Sequence, residues 1–267
     1  MTFRTLAVLA GLLPLAGPPA LSQSGGSGVP VDLELALAVD TSRSMDLDEL
    51  HLQREGYAAA LEHPAVTSAL VMGRLGRTAL TYYEWGGPGN IRVIVDWTLI
   101  ESPEDARAAA RRLREAPITN LRGTSISGAM EHAAAEMALN GFDGTRRVVD
   151  ISGDGPNNRG TPVAEARDRL AALGIEVNGL PFMVKDPYGS YAIPDLDFYY
   201  EDCVITGESA FVIPIQEMDR LIGSIRQKLV LEISGLAPPA RARLRRVSTT
   251  DCMIGERLRR RWDQDLP

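Results

Sequence analysis

The sequence predicts an α/β fold, doubly wound, with a mostly parallel sheet, helices on both faces and one antiparallel edge. Three observations predict it. VDLELALAV (31–39) is a nearly unbroken apolar run, the composition of a strand buried in the middle of a parallel sheet. Strand-length apolar runs then alternate with helical patterns, which is the signature of βαβ units. TALTYYEW (78–85) and IRVIVDWTLI (91–100) are joined by the short, turn-rich GGPGN, so they form a hairpin and make one edge antiparallel.

The elements follow in order. The first strand ends at DTSRSM, and a helical pattern runs from Asp46 to about Leu61, interrupted near Pro64. After the hairpin, Ser102 stands as N-cap to SPEDARAAARRLREA (102–116), with Pro103 at the first helical position and acids in the first turn. A further helix is expected from about Thr124 to Leu139, stopped by Asn140-Gly141. RRVVDIS (146–152) is the next strand, followed by GDGPNNRG and a helix over PVAEARDRLAALG (162–174). IEVNGLPF (175–182) is another strand, AFVIPI (210–215) a candidate last one, and QEMDRLIGSIRQKLV a closing helix. No internal repeat of fixed period is present.

Composition bounds the function. With 267 residues, 45% hydrophobic and 24% charged, the chain suits one large core plus tails. Its net charge of -7 gives a nucleic-acid role no general electrostatic support. Residues 1–22 carry Arg4, an apolar stretch broken by prolines and Ala20-Leu21-Ser22, the pattern of a cleavable secretory signal; the alternative is an uncleaved anchor. Residues 23–30 are a flexible leader, 31–234 the folded domain and 235–267 a basic C-terminal tail. The mature protein is thus expected to be periplasmic or secreted, with no transmembrane segment. In an oxidising compartment Cys203 and Cys252 invite a disulfide, with two separate thiols as the alternative.

The chemistry sits where ligands sit in such folds, beyond the carboxyl ends of the strands. Asp40-Thr41-Ser42-Arg43-Ser44 leaves the first strand with three alternating side-chain oxygens. Arg122-Gly123-Thr124-Ser125 brings a hydroxyl to a helix start, and Ser152-Gly153-Asp154-Gly155 puts a second carboxylate past a buried strand. Two carboxylates (Asp40, Asp154) and three hydroxyls (Ser42, Ser44, Thr124) suit Mg²⁺, with Mn²⁺ or Ca²⁺ as substitutes. Because hydroxyls bring no formal charge, a metal held this way stays electrophilic enough to accept an Asp or Glu carboxylate from a protein partner. Taken singly, each loop has a plainer reading in turn and cap chemistry.

D-x-S-x-S after a buried strand, G-T-S at a helix start and S-G-D-G after a later strand resemble the metal-ion-dependent adhesion site (MIDAS) of von Willebrand factor A domains, over roughly residues 31–234. Within that family the chain resembles a bacterial group of exported proteins of uncharacterised function, the DUF1194 type. The resemblance implies a sheet of about six strands with one antiparallel edge. It also implies that Ser42, Ser44 and Thr124 ligate the metal directly, and Asp40 and Asp154 directly or through water. Many relatives carry threonine before the final aspartate, where this chain has Ser152-Gly153.

Other readings are weaker. A metal-assisted hydrolase of phosphate or ester substrates would use the same oxygens, but there is no G-x-S-x-G elbow, P-loop or dinucleotide fingerprint. His51, His63 and His132 fall in helical patterns without zinc spacing. The segment 185–202 is long for a connection; its Tyr188, Tyr191, Phe198, Tyr199 and Tyr200 either form a partner-binding rim or pack the loop onto its own domain. Asp195, Asp197, Glu201 and Asp202 read as a second cation site or, more plainly, a solvated acidic loop. The eight arginines between Arg241 and Arg261 suit an acidic partner, anionic lipid or simple solvation.

Overall fold

β1 (Val29–Asp40) shows in one strand how the core is divided. Its odd residues Leu33, Leu35, Leu37 and Val39 join a cluster with Tyr57, Ala110, Leu113, Ile225 and Leu229, while Ala36 and Ala38 join a second cluster with Ile126, Met130, Val163 and Tyr200. Alternate side chains of a strand face opposite sides, so a strand with helices on both sides must be apolar on both. Its two acids are exceptions with partners: Asp32 accepts the backbone N–H groups of Leu75 and Arg77, and buried Glu34 accepts that of Gly144 at 2.7 Å.

The computed structural model describes residues 28–184, 192–236 and 250–265. After β1 come α1 (Leu47–Glu62) and α2 (Pro64–Leu70), the hairpin β2 (Thr78–Trp85) and β3 (Ile91–Ile100), α3 (Pro103–Glu115) and α4 (Ile126–Met137). Then follow β4 (Phe142–Gly153), α5 (Val163–Ala172), β5 (Glu176–Pro181), a single turn α6 (Leu196–Tyr199), α7 (Leu221–Ser234) and α8 (Ile254–Asp265). The sheet order is β3-β2-β1-β4-β5, parallel except for β3. β1 also takes in Val29 and Pro30, which the sequence reading assigned to the leader.

The helix starts match their caps. Asp46 and Glu49 form a reciprocal capping box at α1, and Ser102 caps α3 ahead of Pro103. α4 begins at Ile126 rather than Thr124, because Ser125 is the cap and accepts Gly128 N–H at 3.0 Å.

Five strands are continuous among the described residues, and the candidate sixth is held only by bridges. Val212 and Ile215 pair with Gly179 and Phe182 in parallel register. Pro181 has no N–H where the ladder between those pairs requires one, so the pairing breaks there. Cys203 and Cys252 are joined in a disulfide, with Cα atoms 5.5 Å apart. It ties α8, which lies in the basic tail, to the turn after α6. Residues 1–22, the early arginines of the tail, Tyr188 and Tyr191 lie outside the described residues.

Candidate metal centre

The sheet order places a crevice where the sequence placed its oxygens. From β1 the chain crosses first to β2 on one side and later to β4 on the other, so the helices leaving β1 and β4 diverge at this switch point. The register sets Asp40 opposite Trp85 of β2, and Val39 opposite Ser152 of β4. Asp40 therefore ends its strand between the ends of two others.

Four of the five residues singled out meet directly or through one bond. Asp40 Oδ1 accepts the Ser42 N–H at 2.7 Å, which folds the first loop back on the strand end. Ser44 Oγ donates to Asp154 Oδ1 at 2.6 Å; with its one proton used there, it accepts from Ser42 Oγ at 2.9 Å. The row Ser42–Ser44–Asp154 thus joins loops 110 residues apart.

Thr124 is placed between these loops by its backbone. Leu121, three residues earlier, pairs with Ser42 and donates to Thr41 O at 2.7 Å. Thr124 itself exchanges bonds with Asn158, accepting from its N–H at 3.1 Å and donating to its Oδ1 at 3.4 Å.

The electrostatics of Asp40 are unusual for a structural carboxylate. The side chain is fully buried and its Oδ2 has no hydrogen-bond partner. Burial first, and then the Asp154 carboxylate, push its pKa well above the usual range. A cation among these oxygens would relieve both costs, since it would give Oδ2 a partner and offset the second negative charge. The donors, carboxylate and hydroxyl oxygens throughout, are those of a hard divalent ion. Among the described residues no cluster of three or more His, Cys, Asp or Glu exists; a site with two carboxylates and three hydroxyls needs none.

Residues the sequence reading did not single out hold this arrangement. Asn120 donates to Met45 O at 2.8 Å and fixes the far end of the first loop. Gln53 donates to Ser152 Oγ at 3.0 Å. Asn157 Oδ1 accepts from Ser127, its Nδ2 donates to Glu256 of α8 at 2.7 Å, and its N–H donates to Tyr199 Oη at 3.2 Å. An Asn pair in GPNN signals a turn and nothing more, so no pattern announced these contacts.

Gly153 explains the departure from threonine. A Cβ there would lie 2.8 Å from Tyr200 Oη, 3.0 Å from Asp40 Oδ2 and 3.3 Å from Trp85 Cη2. Tyr199 and Tyr200 are fully buried, which for these two decides between a partner-facing rim and packing in favour of packing: they pack α6 onto the domain, and Tyr200 fills the space beside Gly153. Gly153→Ala is expected to destabilise the fold by about 1–3 kcal/mol, the usual range for overpacking. Adding Tyr200→Phe, which removes the clashing oxygen, should recover much of the loss in urea unfolding; a double variant no more stable than the single would contradict the packing account.

The acidic loop does other work: Asp202 accepts from Thr250 Oγ1 and its carbonyl accepts from Arg167. The histidines are elsewhere. His51 is exposed on α1, His63 caps α2, and His132 packs edge-on against Tyr83.

The family described as protein of unknown function (DUF1194) matches residues 30–237. The chain belongs to the DUF1194 family. No curated protein gives this DUF1194 chain a significant sequence match. Among solved structures it resembles proximal thread matrix protein 1 from the mussel byssus with a zinc-occupied MIDAS motif, at TM-score 0.57 and 16% identity over 78% of this chain and 49% of that one. It also resembles the pilus adhesin SpaC from Lactobacillus rhamnosus GG, at TM-score 0.57 and 14% identity over 78% of this chain and 31% of that one. A von Willebrand factor type A structure from Catenulispora acidiphila matches at 0.52 and 16% identity, over 76% of this chain and 43% of that one. The DUF1194 chain spans about half or less of each of those chains. At such identities the likeness establishes the von Willebrand factor A fold.

Proposed function

We propose that this protein is an exported, divalent-metal-dependent protein-binding module that grips a partner's Asp or Glu carboxylate and catalyses no reaction. The observation that carries the reading is the buried, unpartnered Asp40 Oδ2 beside the Ser42–Ser44–Asp154 row. Asp40, Ser42, Ser44, Thr124 and Asp154 would hold the metal, with Mg²⁺ favoured by the oxygen set and Mn²⁺ or Ca²⁺ as substitutes. When bound, the ion would supply Lewis acidity toward an incoming carboxylate. Ser44 lies exposed at the surface while Asp40 and Ser42 are buried, so the site opens on the Ser44 side. The mussel structure with zinc in its MIDAS motif supports divalent-ion binding by this fold.

A hydrolase would need a general base within hydrogen-bond reach of the site. Among the described residues no histidine is hydrogen-bonded to these loops, so the hydrolase reading has no histidine base there. Export is supported by the Cys203–Cys252 disulfide, a bond that persists in oxidising compartments. No helix among the described residues is long and apolar enough to cross a membrane.

Binding to the folded state alone raises stability by mass action, by about 4 kcal/mol at a thousandfold excess over Kd. Saturating Mg²⁺ or Mn²⁺ is therefore expected to raise Tm, and Asp40→Ala or Asp154→Ala to abolish the rise. An unchanged Tm with every divalent ion tried would refute the reading.

A further inference from the structure

Four turns surround the proposed metal site: residues 41–45, 86–90, 117–124 and 155–161. Apart from the site's own Asp40 and Asp154 at the strand ends, and Asp46, which follows the first turn and caps α1, the charged residues of these turns are Arg43, Arg122 and Arg159. That is unexpected in a chain with a net charge of -7. Arg43 stands between Ser42 and Ser44. Arg122 follows Leu121, the residue paired with Ser42, so Arg43 and Arg122 come one step on from the same parallel bridge. Arg159 lies over Gly123, its Cδ and Nε 2.9 and 3.1 Å from where a Cβ would sit; Gly123 has φ +81 and no side chain to block it.

All three arginines are exposed, and among the described residues none of them forms an ion pair. Some arginines elsewhere are matched, Arg114 with Glu55 and Glu62 and Arg107 and Arg111 with Glu104, while Arg74 and Arg226 stand exposed without an ion pair among the described residues; what sets the three apart is that they gather on the turns of one site. Three unpaired guanidinium groups beside a cation site oppose metal binding by like-charge repulsion. Once the two carboxylates are offset by a divalent ion, the rim retains three positive charges that a single incoming carboxylate leaves unneutralised.

We infer that Arg43, Arg122 and Arg159 form a collar that selects an acidic polypeptide segment, one of whose carboxylates enters the metal site while flanking Asp or Glu side chains pair with the guanidiniums. This rests on the metal-binding reading above and names the partner class for it. Arginine suits the task because its planar fork takes a carboxylate through two parallel hydrogen bonds. Binding is also reciprocal: an acidic segment that neutralises the collar tightens the metal, and the metal tightens the segment.

The test uses the whole protein and a fluorescein-labelled oligoglutamate peptide, followed by anisotropy in Mg²⁺ and in EDTA. The wild type should bind the peptide in Mg²⁺ and weaken in EDTA. The variant Arg43→Ala/Arg122→Ala/Arg159→Ala should bind at least about tenfold more weakly, the sum of three exposed charge pairs, with a shallower salt dependence. Its Mg²⁺-induced rise in Tm should persist, which shows it folded and loaded. Equal peptide affinity in wild type and triple variant would overturn the collar while leaving the metal reading intact. Absence of any metal-induced Tm shift in the wild type would instead overturn the metal reading on which the collar depends. Polyphosphate binding more tightly than oligoglutamate, and unaffected by EDTA, would overturn the assignment to an acidic polypeptide.

Discussion

Replacing Lys228 by Met is expected to destabilise the protein by about 3–5 kcal/mol, because it strands a buried carboxylate without its counter-charge. Lys228 on α7 is fully buried, with its Nζ 2.5 Å from Asp150 Oδ1 and in contact with Glu232. Tyr57 donates to the other Asp150 oxygen at 3.2 Å. One ammonium faces two acids, so neutrality requires a proton on one of them, and burial first, then Asp150, raises the Glu232 carboxyl to about 8. For a domain of this size the loss corresponds to a Tm drop on the order of 10 °C. Adding Asp150→Asn to Lys228→Met should recover part of it, since the stranded charge is then gone. A single variant within 1 kcal/mol of wild type, roughly the scale of a surface change, would contradict the burial account.

The same cluster sets a pH dependence. Glu232 keeps its proton in the fold up to about 8, while the unfolded chain releases it near the ordinary glutamate value of 4.5. Its contribution is complete below the unfolded pKa and is lost as pH rises through that window, by at most about 1.4 kcal/mol per pH unit. Asp40, also raised by burial and by Asp154, acts with the same sign. Urea unfolding across this range should show stability falling as pH rises, and Glu232→Gln should flatten the fall.

Loss of the Cys203–Cys252 disulfide is the second large effect expected. The bond closes a loop of sequence separation 49, for which the chain-entropy account gives about 4 kcal/mol. Cys252→Ser, or reduction of the wild type, should lower the denaturant midpoint accordingly. The loss should also reach the metal loops. α8 is held by this bond, its Glu256 accepts from Asn157, and Gly255 packs so close to Asn157 O that no side chain would fit there. Mg²⁺ affinity should therefore weaken in Cys252→Ser even at temperatures where the variant remains folded; unchanged affinity would show that α8 does not support the site.

What the sequence made legible followed local rules. The hairpin strands fall where their strand-length apolar runs and the Gly-rich turn set them, and Ser102-Pro103 starts α3 because capping and proline act within one turn. Asp40, Ser42, Ser44 and Asp154 could be nominated because strand ends in a parallel sheet share one side of the molecule. Gly153 and Tyr200 could not be linked, since their contact joins distant segments and has no spacing to betray it. Nothing local in the sequence marks Lys228, yet α7 turns it into the core toward Asp150 of β4. The edge segment at 210–215 read as a strand by composition, while the proline that breaks its pairing sits in its neighbour, β5.

The most direct test of the metal-binding claim is a crystal grown with Mn²⁺ and measured for anomalous scattering. One anomalous peak is expected among the side-chain oxygens of Asp40, Ser42, Ser44, Thr124 and Asp154, lost in Asp40→Ala crystals. No peak there at saturating Mn²⁺, with Asp40 still buried and unpartnered, would contradict it.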